Sequence, residues 1–120
     1  MARVLIVDDA WLRAIDAETL LSSCGHTICG TAGDGRALEL ARAERPDIVV
    51  LDAQLADGRD GVASAAEIQA ACSCALVFVT ACRDAAMTLR MRRLQPAAIV
   101  GKPANGDMIL GAVDRMAREV

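Results

Sequence analysis

A chain of 120 residues with a net charge of −3 is long enough for one domain with a buried core, and it has no basic run or tail of the kind that tracks a nucleic-acid backbone. No apolar stretch reaches the roughly 18 residues of a membrane span and the N-terminus shows no signal-peptide pattern, so a cytoplasmic chain is expected. Trp11 and Phe78 are its only aromatic residues, which leaves the core to aliphatic side chains and alanine.

Arg3-Val4-Leu5-Ile6-Val7 is a short apolar run that ends on Asp8-Asp9. Runs of about four to eight such residues read as strands buried on both faces, as in a parallel sheet. Residues 10–24, apolar at Leu12, Ile15, Leu20 and Leu21, predict a helix closed by Gly25. His26 reads as a turn residue, Thr27–Thr31 as a short second strand and Gly33-Asp34-Gly35 as a turn. Residues 36–44 predict a helix with Ala37, Leu38 and Ala41 inward; Arg45-Pro46-Asp47 ends it, because proline disfavours helical geometry in the residue before it. Asp47-Ile48-Val49-Val50-Leu51-Asp52 is a third strand, and a glycine-rich loop, Asp57-Gly58-Arg59-Asp60-Gly61, leads to an alanine-rich helix over 62–71. Ala75–Val79 is a fourth strand ending on Thr80, followed by an arginine-faced helix over 84–93 that Pro96 breaks. Ala97–Val100 is the fifth strand and runs into Gly101-Lys102-Pro103. The last helix starts near Asn105 as N-cap, with Asp107 in its first turn and Ile109, Ala112, Val113 and Met116 forming one inward stripe.

Five strand–helix repeats imply parallel strands joined by right-handed crossovers: one α/β domain over 1–120, with helices on both faces of the sheet. Ligands of such sheets bind at the carboxyl ends of the strands. There stand Asp8 and Asp9 after the first strand, Asp52 after the third, Thr80 after the fourth and Lys102 after the fifth. The second contributes nothing chemical, as an edge strand would. If the first and third strands are neighbours, three carboxylates crowd one rim, and like charges at close range need a counter-ion. A hard divalent cation with oxygen ligands answers that need, and Mg2+ is the common one. A metal so held offsets charge on an incoming phosphoryl group. Asp52 is then placed to act as a nucleophile, with Lys102 as a point charge and the Thr80 hydroxyl as a donor to phosphoryl oxygens.

Asp8-Asp9, Asp52, Thr80-Ala81 and Lys102-Pro103, in this order on these strands, resemble the receiver domain of two-component response regulators over essentially the whole chain. The resemblance implies a flavodoxin-like, chemotaxis-regulator-like fold, a five-stranded parallel sheet in the order 2-1-3-4-5. It implies that Asp52 is the phospho-acceptor. Asp9, Asp52 and the main-chain carbonyl of Gln54 would bind Mg2+ directly and Asp8 largely through water. Thr80 and Lys102 would read the phosphoryl group, and the Lys102–Pro103 peptide would be cis. The implied donor is a sensor histidine kinase or histidine phosphotransfer protein. The chain would be no enzyme beyond Mg2+-dependent self-phosphorylation and autodephosphorylation. With Val120 as its last residue the chain would bind a downstream protein in trans, unless it is a piece cut from a longer protein; a homodimer through the face of the fifth strand is a further expectation. Ile99 stands where the family usually has an aromatic that swings inward with the threonine, a movement isoleucine cannot make. Ala56 replaces a common proline, the loop over 57–61 is one residue longer than the commonest, and Ala104 stands where Phe or Tyr often follows Lys-Pro.

Other readings compete. A pseudo-receiver, a binding module without phosphorylation, fits Ile99 and Ala104 but leaves the intact acids, Thr80 and Lys102 unexplained. A flavodoxin-like cofactor protein would need a phosphate cradle after the first strand, where Asp8-Asp9 would repel the ligand. A hydrolase with an aspartyl intermediate would carry its nucleophile on the first strand. Gly30-Thr31-Ala32-Gly33-Asp34-Gly35 lacks the Gly-x-Gly-x-x-Gly order and reads as a turn. Cys24, Cys29, Cys72, Cys74 and Cys82 contain no Cys-x2-Cys pair, so they read as small packed thiols rather than zinc ligands. Arg83, Arg90, Arg92 and Arg93 form either a partner-facing patch or a solvated helix face. Trp11 would line the rim. Gln54 and Cys82 should flank the path of a hydrolysing water; neither is charged, so the expected phosphoryl lifetime is not unusually short.

Overall fold

Strands β1 (Arg3–Val7), β2 (Thr27–Ala32), β3 (Ile48–Asp52), β4 (Ala75–Thr80) and β5 (Ala98–Gly101) pair in parallel in the order β2-β1-β3-β4-β5. The computed structural model describes residues 2–7, 16–32, 36–53, 60–81, 84–101 and 106–118. Within them the strands alternate with α1 (Ala17–Ser23), α2 (Ala37–Glu44), α3 (Gly61–Ala71), α4 (Ala85–Arg93) and α5 (Gly106–Ala117). The expected fold and strand order are observed. No helix among the described residues is long and apolar enough to cross a membrane.

The two-residue period of a strand sets the layers. Ile48 and Val50 of β3 join Val4, Ile6, Val77 and Val79 in a cluster closed by Ala17 and Leu21 of α1 and by Ile109, Ala112 and Val113 of α5. Val49 and Leu51 join Leu5, Val7, Leu76 and Phe78 in the opposite cluster, covered by Ala37 and Ala41 of α2, Val62, Ala65 and Ile68 of α3, and Met91 of α4. Helices therefore cover both faces, which is why the apolar runs are continuous rather than alternating.

Most boundaries lie within a residue of expectation, and the differences have local causes. Gly25 sits at φ 95° just past α1, and its N–H bonds the Ser22 carbonyl, as expected of a closing glycine. α2 stops instead on Arg45 at φ 47°, whose N–H reaches the Ala41 carbonyl. Asp47 lies outside β3. Its carboxylate accepts the Arg3 N–H at 2.9 Å and its own N–H reaches the Arg3 carbonyl at 2.8 Å, tying the entries of β1 and β3. Ile109, Ala112 and Val113 are buried and Met116 packs beside them, the inward stripe expected of α5. The first part of the expected helix over 10–24, Gly33-Asp34-Gly35 and Asn105 lie outside the described residues.

His26, just after the turn at residues 24 and 25, is buried as well; its Nδ1 accepts the Ala2 N–H at 3.3 Å, so Nε2 carries the proton and donates to Asp114 Oδ1 at 2.6 Å. The ring thus clasps the start of β1 and helix α5 to the entry of β2. Cys29, Cys72 and Cys74 are packed against the α2–α3–α4 core, with the Cys29 and Cys72 thiols donating to the carbonyls of Val4 and Ala41. Burial, assisted by neighbouring Cys72, pushes the Cys74 thiol up to about 11. Cys24, by contrast, is exposed.

Candidate functional site: the carboxyl rim of the central strands

The site grows out of the sheet register. β1 ends at Val7 opposite Leu51, so the first and third strands lie side by side. On the other flank of β3, Asp52 stands opposite Val79, one residue before Thr80, and Thr80 stands opposite Gly101. The structure therefore brings the carboxylate and the hydroxyl to the same edge of adjacent strands. Both are buried, Asp52 at 3 % exposure and Thr80 at 4 %. A carboxylate this sheltered stays charged only where hydrogen-bond donors or a cation compensate it. Among the described residues no buried side-chain nitrogen or oxygen lacks a hydrogen-bond partner.

The junction after Asp52 is closed by a residue that sequence reading assigned to a loop. Gly61 is the first residue of α3; it is buried, and its N–H bonds the Ala53 carbonyl at 2.9 Å. A methyl group there would overlap the Asp52 carbonyl oxygen and lie 2.8 Å from the Ala53 carbonyl carbon and oxygen. Only glycine lets the helix start this close to the strand that carries Asp52. Asp60 caps that helix: its Oδ1 accepts the N–H groups of Val62 and Ala63 at 3.0 and 3.1 Å. Its Oδ2 meets the Arg90 guanidinium of α4 at 2.6 Å. Burial pushes the Asp60 carboxyl up, but the bond from Arg90, the two amides and the arginine's charge together outweigh it and hold it below the usual carboxylate range. The Asp-Gly pair ahead of an alanine-rich run is an N-cap signature that sequence reading passed over.

Arg90 is thus engaged with Asp60, while Arg92 and Arg93 are exposed on α4. Asp8, Asp9, Gln54 and Lys102 lie outside the described residues, as do the Lys102–Pro103 peptide, Trp11, Ala56, residues 57–59, Cys82, Arg83 and Ala104. Asp52 is therefore the one expected metal ligand among the described residues. Its buried carboxylate is a hard oxygen donor of the class that Mg2+ takes, and the other expected side-chain ligands, Asp8 and Asp9, are of the same class.

Comparison with known proteins decides the family. The family model of the response regulator receiver domain matches residues 4–114. The chain belongs to that family. Among the receiver's relatives, the transcriptional regulatory protein PdtaR of Mycobacterium tuberculosis is 34% identical over 113 residues, covering 93% of this chain and 55% of that protein. The phyllosphere-induced regulator PhyR of Methylorubrum extorquens is 31% identical over 102 residues, 83% of this chain and 38% of that protein. The receiver thus spans about half, or less, of the length of these curated relatives. Among solved structures, the signal receiver domain of a modulated diguanylate cyclase from Desulfovibrio desulfuricans G20 superposes with a TM-score of 0.86 at 30% identity, covering 99% of this chain and 95% of that one.

Proposed function

We propose that this receiver is a phosphorylation-controlled switch in which Asp52 accepts a phosphoryl group from a phosphohistidine of a sensor histidine kinase or phosphotransfer protein. The observation that carries the reading is the burial of Asp52 at the centre of the carboxyl rim, flanked by β1 on one side and by β4, ending in Thr80, on the other. In the transfer an Asp52 carboxylate oxygen forms the new O–P bond, the N–P bond of the donor breaks, and the departing imidazole keeps the electron pair and takes up a proton. Thr80 donates its hydroxyl to one phosphoryl oxygen and Lys102 supplies an ammonium to another. Asp9, Asp52 and the Gln54 carbonyl would hold Mg2+, with Asp8 acting through water; when bound, the ion offsets the charge that gathers on the phosphoryl oxygens. Reversal is hydrolysis of the acyl phosphate. Gln54 and Cys82 are uncharged and would supply no base to the attacking water, so the lifetime of the acyl phosphate is not unusually short. The chain acts on no separate substrate; it works in the cytoplasm and signals by binding a downstream protein.

One observation favours a second reading, a pseudo-receiver that binds without being phosphorylated. Ile99 of β5 is aliphatic and 36 % exposed, so the inward-turning aromatic of the family has no counterpart there. Incubation with acetyl phosphate and Mg2+ separates the two. The intact protein gains the mass of one phosphoryl group, and Asp52→Asn does not. An unchanged mass in the unsubstituted protein assigns the pseudo-receiver instead.

A further inference from the structure

α4 is lightly held. Met91 is its only buried side chain, Leu89 is 51 % exposed, and two polar ties run from it to α3. Near the C-terminal end of α3, Gln69 Nε2 donates to the Leu94 carbonyl, the C-cap of α4, at 2.6 Å. At the N-terminal end Asp60 holds Arg90, also at 2.6 Å. The second tie stands one residue from the glycine that presses on Asp52.

We propose that the Asp60–Arg90 ion pair is a latch that couples Asp52 to the placement of α4, and that both residues are positioning residues for the acceptor. This rests on the phospho-acceptor reading of Asp52. The path is short and built of stiff parts. Gly61 packs so closely on the Asp52 carbonyl that even a methyl group would not fit between them, and its N–H is bonded to the Ala53 carbonyl. The Asp60 carboxylate is oriented by two helix amides through Oδ1, which leaves Oδ2 alone to face Arg90. A shift of the strand end therefore carries Oδ2 with it, and a charge-assisted hydrogen bond at 2.6 Å loses strength steeply with distance and angle. The route bypasses Ile99, which cannot make the inward swing of an aromatic side chain. By linkage, whatever the state of Asp52 does to the latch, the latch does to the phosphorylation equilibrium of Asp52 by the same factor.

Hydrogen exchange read by mass spectrometry on the full chain tests this, with and without acetyl phosphate and Mg2+. Asp60→Asn keeps an oxygen to cap α3 while removing the charge, Arg90→Gln removes the cation, and Arg90→Lys is the conservative control. Without donor, Asp60→Asn and Arg90→Gln should exchange the amides of α4 roughly two- to fivefold faster, the scale of an exposed ion pair. α3 and β3 should keep their protection, and Arg90→Lys should restore most of the α4 rate. With donor, exchange in α4 should rise in the unsubstituted protein, and that increment should vanish in Asp60→Asn and Arg90→Gln. Equal α4 rates in all proteins without donor, or the same donor-dependent increment in labelled unsubstituted and Arg90→Gln protein, overturns the latch alone. Absence of any phosphoryl mass gain in the unsubstituted protein, measured on the same samples, overturns the acceptor reading and the coupling together.

Discussion

β3 and β5 belong to one parallel sheet, yet all five residues of β3 are buried while β5 buries only Val100. The helices repeat the contrast. α3 buries Gly61, Val62, Ala65 and Ile68, whereas α4, which connects β4 to β5, buries Met91 alone. Asp52 stands on the densely packed side; β5 lies two strands away, and α4 meets that side through the Asp60–Arg90 pair. Local opening draws on regions with few buried apolar contacts. The difference teaches that the acceptor sits in the densely packed part of the sheet while the flank of β5 and α4 is where local opening costs least.

The largest expected effects probe that division directly. Phe78→Ala empties the centre of the α2–α3–α4 core, where Phe78 is fully buried, and should cost about 3–5 kcal/mol in urea unfolding. Met91→Ala should cost nearer about 2 kcal/mol and act locally, stripping exchange protection from α4 while β3 keeps it. Equal costs, or loss of β3 protection with Met91→Ala, would break the contrast. Gly61→Ala forces a methyl group onto the Asp52 carbonyl and should cost about 1–3 kcal/mol. Its phosphoryl labelling should fall further than the folded fraction does, because the strand end itself is displaced; labelling that tracks the folded fraction would mean Gly61 only packs.

The smallest effect concerns the entry of β4. The Cys74 thiol is raised from 9.0 to about 11 in the fold, chiefly by burial. An unfolded chain therefore releases that proton first, so this contribution to stability is complete below about pH 9 and is lost as pH rises through about 11. Unfolding midpoints should fall less steeply over that window in Cys74→Ala than in the unsubstituted protein. Parallel curves would place the thiol in a wetter setting than its packing against the α2–α3–α4 core implies.

The five strands were legible because continuous apolar runs bounded by carboxylates and prolines have few other uses, whereas their order came from the resemblance to receiver domains, since the hand of parallel connections alone does not fix it. The α5 stripe was legible for the same periodic reason. What escaped reading depends on distance in the chain. His26 looks like a turn residue until Ala2 and Asp114, 24 and 88 residues away, are brought to its ring. Gly61 looks like one more loop glycine until the Asp52 carbonyl lies against it, and nothing local pairs Asp60 with Arg90, 30 residues on. Arg45, Asp16 and Gln95 hold positive φ without being glycine, so the turns they make carry no composition signal. In the site, Asp52 and Thr80 fall on the strand ends where the sequence put them, and the expectations for Asp8, Asp9, Gln54 and Lys102 concern residues outside those described.

The central claim is that Asp52 is the acceptor, and borohydride reduction tests it at single-residue level, because it converts an aspartyl phosphate to homoserine. The protein is labelled with acetyl phosphate and Mg2+, reduced, digested and sequenced by mass spectrometry. Homoserine at position 52 and nowhere else is the expected result. Homoserine at another aspartate, or none in a sample that has gained phosphoryl mass, would contradict it.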